Sequence, residues 1–217
     1  MKSIILVRHG ESLWNREGRL TGWTDVGLTP LGEIEARSAA ERLIINGYKP
    51  DKVYCSYLER SYRTLEIMLD IYNLKDLTIK RCWQLNENHY GQLQGMRRED
   101  VYKIYGREKA DLWLSSYNCA PPALEHYDKR NPSNDPKYAN ISAESLPLTE
   151  SYSDLSARVL NCWNEQILPN LDNHDCIMVV AHGNSLREII KDWFRIGETN
   201  IFRINLASAS PLILNIN

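Results

Sequence analysis

Two short apolar runs constrain this chain more than any other feature. Ser3 to Val7 (Ser-Ile-Ile-Leu-Val) and Cys176 to Ala181 (Cys-Ile-Met-Val-Val-Ala) are continuous and rich in β-branched residues. Runs this short, without polar alternation, suit strands buried on both faces, as in a parallel sheet covered by helices. Each run leads into the same punctuation, Val7-Arg8-His9-Gly10-Glu11-Ser12 in one case and Val180-Ala181-His182-Gly183-Asn184-Ser185 in the other. Ligands of open parallel sheets bind beyond the carboxyl ends of the strands. The echo therefore predicts His9 and His182 on one rim, with Gly10 and Gly183 allowing backbone to approach a ligand closely. One His-Gly after a strand is commonly a turn. Two in matching contexts, beside Arg8, are a stronger signal.

Between these runs the pattern is helical. Thr29 is placed to cap a helix with Pro30 at its first position. Ala36, Ala39, Ala40 and Leu43 form one face, and Gly47 ends it. Leu58, Tyr62, Leu65, Leu69 and Tyr72 recur at helical spacing. Leu155 to Ile167 and Ser185 to Phe194 read as two further helices. Lys52 to Cys55 and Leu77 to Cys82 are weaker strand candidates. Strands alternating with helices predict an α/β fold, a three-layer α/β/α arrangement with a mostly parallel central sheet. At 217 residues the expectation is one domain, 1–217, with an excursion loop at about 117–147. Pro121-Pro122, Asn131-Pro132 and Asp135-Pro136 forbid long helices and ladders there.

Composition removes several classes. The net charge of -2 argues against a nucleic-acid partner or an acidic membrane surface. Five cysteines without a CxxC pair fit reduced thiols in a cytoplasmic setting. The apolar run at the N-terminus is too short for a signal peptide, and no stretch is long enough to span a bilayer. There is no GxxxxGK[ST] loop and no HExxH pair.

Two more residues complete a chemical set. Arg60 follows the candidate strand Lys52 to Cys55, near the start of a helix. It reads either as a solvated arginine paired with Glu59 or Glu66, or as a phosphate ligand. Two histidines on the same rim favour the second. Glu87 follows Leu77 to Cys82 and is either an ordinary loop glutamate or a general acid and base. Phosphoryl transfer consists mostly of positioning and charge neutralisation. Arginine forks match phosphate oxygens. A neutral imidazole can attack phosphorus with one nitrogen while the other donates to a carbonyl. A second histidine can donate to the transferring group. Such a reaction needs no metal.

The stretches LVRHGESLWN, LTGWTDVGLT, YLERSYRTL, LNENHYGQLQG, LPLTES and VVAHGNSLR resemble the histidine phosphatase superfamily, and within it the cofactor-dependent phosphoglycerate mutase branch. The resemblance runs from Lys2 to about Leu214, and the 117–147 excursion looks like the insert that mutases carry. It implies that His9 is phosphorylated and that Arg8, Asn15, Arg60, His182 and Gly183 hold the phosphoryl group. It implies further that Glu87 is the general acid and base, and that Ser12, Thr21, Gly22, Tyr90, Arg98 and Asn184 line the substrate side. The implied reaction interconverts 3-phosphoglycerate and 2-phosphoglycerate, primed by 2,3-bisphosphoglycerate, with a small phosphorylated substrate as partner. A homodimer or homotetramer is the implied assembly.

This chain departs from the branch in its basic shell. Asn88 stands where the family has Arg, Arg98 where it has Lys, and Leu114-Ser115 after Trp113 where it has two arginines. Three of four basic positions are uncharged, with Arg97, Arg107 and Lys109 as nearby candidates to compensate. A charge-assisted hydrogen bond contributes roughly 1.5–3 kcal/mol, so grip on a polyanion should weaken. Ala207-Ser208-Ala209 replaces a family Pro-Thr-Gly, and the sequence stops at Asn217 without the family's longer tail. Easier access of water is expected. A phosphohistidine phosphatase of a small phosphoester is therefore the alternative to a mutase. A degenerate binding paralogue is the third, disfavoured by the intact core set.

Overall fold

A computed structural model describes residues 2–216. In chain order the elements are β1 (Lys2–Arg8), α1 (Leu13–Arg16), α2 (Pro30–Ile45), β2 (Lys52–Cys55), α3 (Glu59–Ile71), β3 (Ile79–Arg81), α4 (Arg98–Tyr105), α5 (Arg107–Ser115), α6 (Tyr152–Cys162), β4 (Cys176–Ala181), α7 (Gly183–Phe194) and β5 (Leu212–Ile216). The strands form one sheet in the order β3-β2-β4-β1-β5. All neighbours are parallel except β5, which runs antiparallel along β1. The two apolar runs lie side by side at the centre, with Val7 opposite Val180 and Arg8 opposite Ala181.

Alternate residues of these strands feed two cores, which gives the three layers. Ile5, Val7, Val53, Met178 and Val180 face Ala36, Ala39, Ala40 and Leu43 of α2 and Leu65, Met68 and Leu69 of α3. Ile4, Leu6, Tyr54, Ile177 and Val179 face Leu155 and Val159 of α6 and Leu186 and Ile189 of α7. Ile4, Ile5, Val7, Ile177, Met178, Val179 and Val180 are fully buried, as expected of strands covered on both sides. Thr29 caps α2 by accepting the Gly32 N–H at 3.0 Å. Gly47 follows the helix with φ +79°, a conformation that costs glycine little.

Three sequence expectations change. The segment Leu155 to Ile167 is not one regular helix. α6 ends at Cys162, and Trp163–Ile167 opens into a wider π turn before a 3₁₀ segment, Leu168–Asp172. Pro169 has no N–H to give, and its ring excludes a regular turn before it. α7 starts at Gly183 rather than near Ser185, so His182 itself stands at the N-cap. Gly10 does not make room for a ligand: a Cβ there would lie 2.3 Å from the Gly32 carbonyl oxygen, so its role is close approach of α2.

The excursion holds only short 3₁₀ turns, as its prolines require. It folds back beside the rim. Tyr138 stacks on Trp23, with ring centroids 5.3 Å apart, and its hydroxyl accepts from Asn86 Nδ2 at 2.8 Å. Among the described residues no helix is long and apolar enough to cross a membrane.

Candidate active site

β1 and β4 end level with each other, so the residues that follow them meet. The His9 and His182 rings lie 5.0 Å apart, edge to face. Both are buried. His9 Nδ1 lies 2.7 Å from the Gly10 carbonyl oxygen. A carbonyl only accepts, so Nδ1 carries the proton and Nε2 holds the lone pair. Burial, then Arg60 and Arg8, hold the His9 pKa well below the ordinary imidazole value, which keeps the ring neutral. His9 is thus oriented as a nucleophile through Nε2.

Arg60, on the first turn of α3, is one of the largest fully buried side chains. It pairs with neither Glu59 nor Glu66. Its Nε donates to His9 Nε2 at 3.3 Å, Nη2 to the Gly22 carbonyl at 2.8 Å and Nη1 to the Thr24 carbonyl at 3.1 Å. Burial lowers its pKa to about 10, and Glu87 works against that shift. The guanidinium stays charged at neutral pH. Arg8 is anchored through Nη1 to the Leu206 carbonyl at 2.7 Å. Its pKa is also lowered, by burial first.

Glu87 enters from the loop after β3. Its Oε1 accepts the N–H groups of Asn88 at 2.9 Å and Asn184 at 3.2 Å. Its Oε2 has no hydrogen-bond partner among the described residues, and a Cβ on Gly183 would lie 3.7 Å from that oxygen. The Glu87 carbonyl is held by Trp23 Nε1 at 2.6 Å and Arg158 Nη2 at 2.8 Å. Arg158 also donates to the Asn86 carbonyl and to the carboxylate of buried Glu150. Glu87 is therefore held by Arg158 of α6 and by the first turn of α7.

Around these groups lies a cleft of about 320 Å³. Arg8, His9, Asn15, Thr21, Gly22, Arg60, Glu87, Tyr90, Arg98, Gly183 and Asn184 line it. His182 packs edge to face on His9 and is not itself among the residues lining the cleft. Ser12 departs from expectation. It is fully buried and caps α1, its hydroxyl donating to Asn15 Oδ1 at 2.9 Å. That leaves the Asn15 amide nitrogen for a ligand.

Among the described residues, Arg8 Nε, Thr21 Oγ1 and His182 Nδ1 are buried near the rim without a protein partner. Buried polar groups are nearly always paired, so such a concentration of hydrogen-bond donors points to an anionic ligand. The arrangement suits a phosphoryl group on His9 Nε2.

A family profile described as histidine phosphatase superfamily (branch 1) matches residues 4–132 and 128–217. The chain belongs to the histidine phosphatase superfamily. A 2,3-bisphosphoglycerate-dependent phosphoglycerate mutase of Porphyromonas gingivalis is 45% identical over 213 residues, covering 98% of this chain and 86% of the relative. One of Bacteroides fragilis is 46% identical with the same coverage. Among solved structures, an alpha-ribazole phosphatase of Shigella flexneri aligns with a TM-score of 0.74 at 20% identity, covering 99% of this chain and 91% of the other. A mycobacterial glucosyl-3-phosphoglycerate phosphatase aligns at 0.71 and 21%, covering 99% and 93%. These two establish the superfamily fold alone.

Within the superfamily frame, sequence reasoning misses two cleft arginines. Arg19 lines the wall, its Nη1 donating to the Gly95 carbonyl at 2.7 Å. Arg187, one turn into α7, is held by the Ile204 carbonyl at 2.7 Å and Asn184 Oδ1 at 2.9 Å. Helical spacing from His182 was the available signal for Arg187, since it lies near the N-terminal end of the helix that starts at the rim. The proposed compensators do not reach: Arg97 pairs with Glu99, Arg107 lies over Tyr102 and Lys109 over Trp113. Leu114 and Ser115 do line the cleft, beside Arg98. Asn88 does not. It is buried, 5% exposed, with Nδ2 near the Glu150 carbonyl.

Proposed function

We propose that this chain is a phosphoglycerate mutase that works through a phosphohistidine at His9, primed by 2,3-bisphosphoglycerate. The observation that carries the reading is the charge of the cleft. Arg8, Arg19, Arg60, Arg98 and Arg187 face one carboxylate, Glu87. A neutral-ended phosphomonoester needs less compensation than that. A ligand bearing a phosphate and a carboxylate, or two phosphates, matches it. The 45% identity to named mutases points the same way.

The geometry suits each step. His9 Nε2 attacks phosphorus as the ester oxygen leaves, and Glu87 gives that oxygen its proton. Arg8 and Arg60 neutralise charge on the equatorial oxygens, and the amide of Asn15 donates a hydrogen bond to them. In the transfer onto substrate the free hydroxyl of a bound phosphoglycerate attacks the phosphohistidine, the P–Nε2 bond breaks and Glu87 takes the hydroxyl proton. The primer's chemistry is to supply the phosphoryl group that charges His9. Arg98, Arg187 and Asn184, which line the same cleft, would hold its remaining anionic groups.

A second reading, hydrolysis, has its own observation. Leu114 and Ser115 occupy cleft wall where the family pattern is doubly basic. Weaker grip on the product favours its escape before rephosphorylation, leaving water as the acceptor.

The deciding experiment incubates purified protein with 3-phosphoglycerate, with and without 2,3-bisphosphoglycerate. It follows 2-phosphoglycerate and inorganic phosphate together. Primer-dependent isomer with little phosphate is the expected result. Phosphate without isomer replaces the mutase reading with the phosphatase one, and neither product removes both.

A further inference from the structure

Ser56, just beyond β2, lies outside the cleft and belongs to none of the roles above. It is fully buried, and its Oγ is 2.7 Å from His182 Nε2. The same Oγ accepts the Leu58 N–H at 3.1 Å. A serine hydroxyl has one proton to donate and two lone pairs. Among the described residues the acceptor in reach of the Ser56 proton is His182 Nε2. If Nε2 carried a proton instead, the Ser56 O–H would be buried without an acceptor, which is disfavoured. The local frame is fixed as well. Ser56 N–H donates to Ser61 Oγ at 3.3 Å, and the Ser61 hydroxyl donates to the Val180 carbonyl at 2.6 Å.

His182 is kept neutral by burial and by Arg60, Arg158 and Arg8, and a neutral imidazole has a single N–H. With Nε2 accepting, that proton is on Nδ1. Among the described residues Nδ1 has no hydrogen-bond partner, since the Ser185 N–H that approaches the His182 side chain at the start of α7 forms no hydrogen bond with it, and the ring lies 5.0 Å from that of His9.

We propose that Ser56 is a positioning residue that locks His182 in its Nδ1–H tautomer, so that His182 donates a hydrogen bond to the phosphoryl group moving onto and off His9. The bond changes are those of the transfer itself. The P–O ester bond breaks, the P–Nε2 bond forms and the Glu87 proton goes to the leaving oxygen. The His182 proton is shared with a phosphoryl oxygen and stays on nitrogen. Without Ser56 the other tautomer becomes accessible and turns a lone pair toward the phosphoryl oxygens, an acceptor facing acceptors.

The role rests on the phosphohistidine chemistry proposed above, yet one arm of its test is independent of any reaction. In ¹⁵N-histidine NMR of the resting protein, with His182→Gln supplying the assignment, His182 is expected to show a protonated Nδ1 and an unprotonated Nε2. A protonated Nε2 overturns the proposal, whatever the enzyme's substrate. Ser56→Ala is then compared with Ser56→Thr, which keeps the hydroxyl. The rate of His9 phosphorylation and kcat should fall by about 10- to 100-fold in Ser56→Ala, the scale of a displaced transition-state donor. KM should change by less than about 2-fold, and Ser56→Thr should recover most of the rate. Unchanged labelling and kcat in folded Ser56→Ala, or equal losses in both variants, reject the tautomer role. Absence of any His9 labelling in the wild-type protein removes the phosphohistidine reading instead, and the NMR result still stands.

Discussion

His9 owes its neutrality to its neighbours, and this has a measurable sign. Burial, Arg60 and Arg8 all disfavour the imidazolium. Removing one cation raises the His9 pKa, so the acid limb of the activity profile should move to higher pH. Arg60→Met is expected to shift that limb of kcat/KM upward and to lower kcat by about 10²–10³, since a transition-state donor is also lost. A pH-rate profile with an unmoved acid limb would separate Arg60 from His9. His9→Ala should eliminate phosphate labelling and turnover together, and residual labelling in that variant would place the phosphoryl group elsewhere. The sequence showed His9, His182 and Arg8 because two strands share one ending. The local pattern around Arg60 is equally compatible with pairing to Glu59 and with burial against His9, and it was the two rim histidines that favoured the phosphate-ligand reading. Only tertiary packing removes Glu59 and Glu66 from the choice.

At the scale of elements, Glu87 depends on α6 as much as on its own loop. Arg158 of α6 reaches the Gln84, Asn86 and Glu87 carbonyls and the carboxylate of Glu150, and both members of that ion pair are buried. Breaking such a pair strands a buried charge, which costs about 3–5 kcal/mol. Arg158→Met should lower stability by about that amount in urea unfolding. Adding Glu150→Gln, which removes the orphaned charge and keeps an acceptor for the His89 N–H, should recover part of it. Additive losses would show that the two side chains do not act as a unit. The helices α2, α3 and α7 were legible in the sequence because their apolar faces repeat cleanly. β5 was not, since Leu212–Ile216 follows the irregular Ala207 to Pro211 stretch and an antiparallel edge strand has no signal of its own. α4 and α5 form a small separate cluster around Leu20, Leu93, Val101, Ala110 and Trp113. With so few core contacts they left a weak pattern.

For the molecule as a whole, two consequences follow from what the cleft and the interior contain. Leu114 and Ser115 are part of the wall, so Leu114→Arg with Ser115→Arg should lower KM for 3-phosphoglycerate and raise the ratio of isomer to free phosphate. An unchanged KM would mean that the substrate does not reach that wall. Three buried histidines, His9, His89 and His182, all have pKa values below the ordinary 6.5, with His89 at about 3. The unfolded chain takes up protons at these sites first. Stability is therefore fully present above about pH 6.5 and lost as pH falls, by about 1.4 kcal/mol per histidine per pH unit. Urea midpoints at pH 7.5 and pH 5 should show a smaller drop in His182→Gln than in wild type. Equal drops would mean that His182 is protonated as readily folded as unfolded.

The register that sets Arg8 opposite Ala181 joins the beginning of the chain to a strand near its end. Such a contact is among the last that a chain can close during synthesis, and the loop entropy it must overcome is large. His9 and His182 come together only when that pair zips. A nascent or truncated chain would carry His9 without His182 beside it. Recovery of His9 labelling after dilution from denaturant is thus a clock for the closing step of folding, readable without any spectroscopic probe.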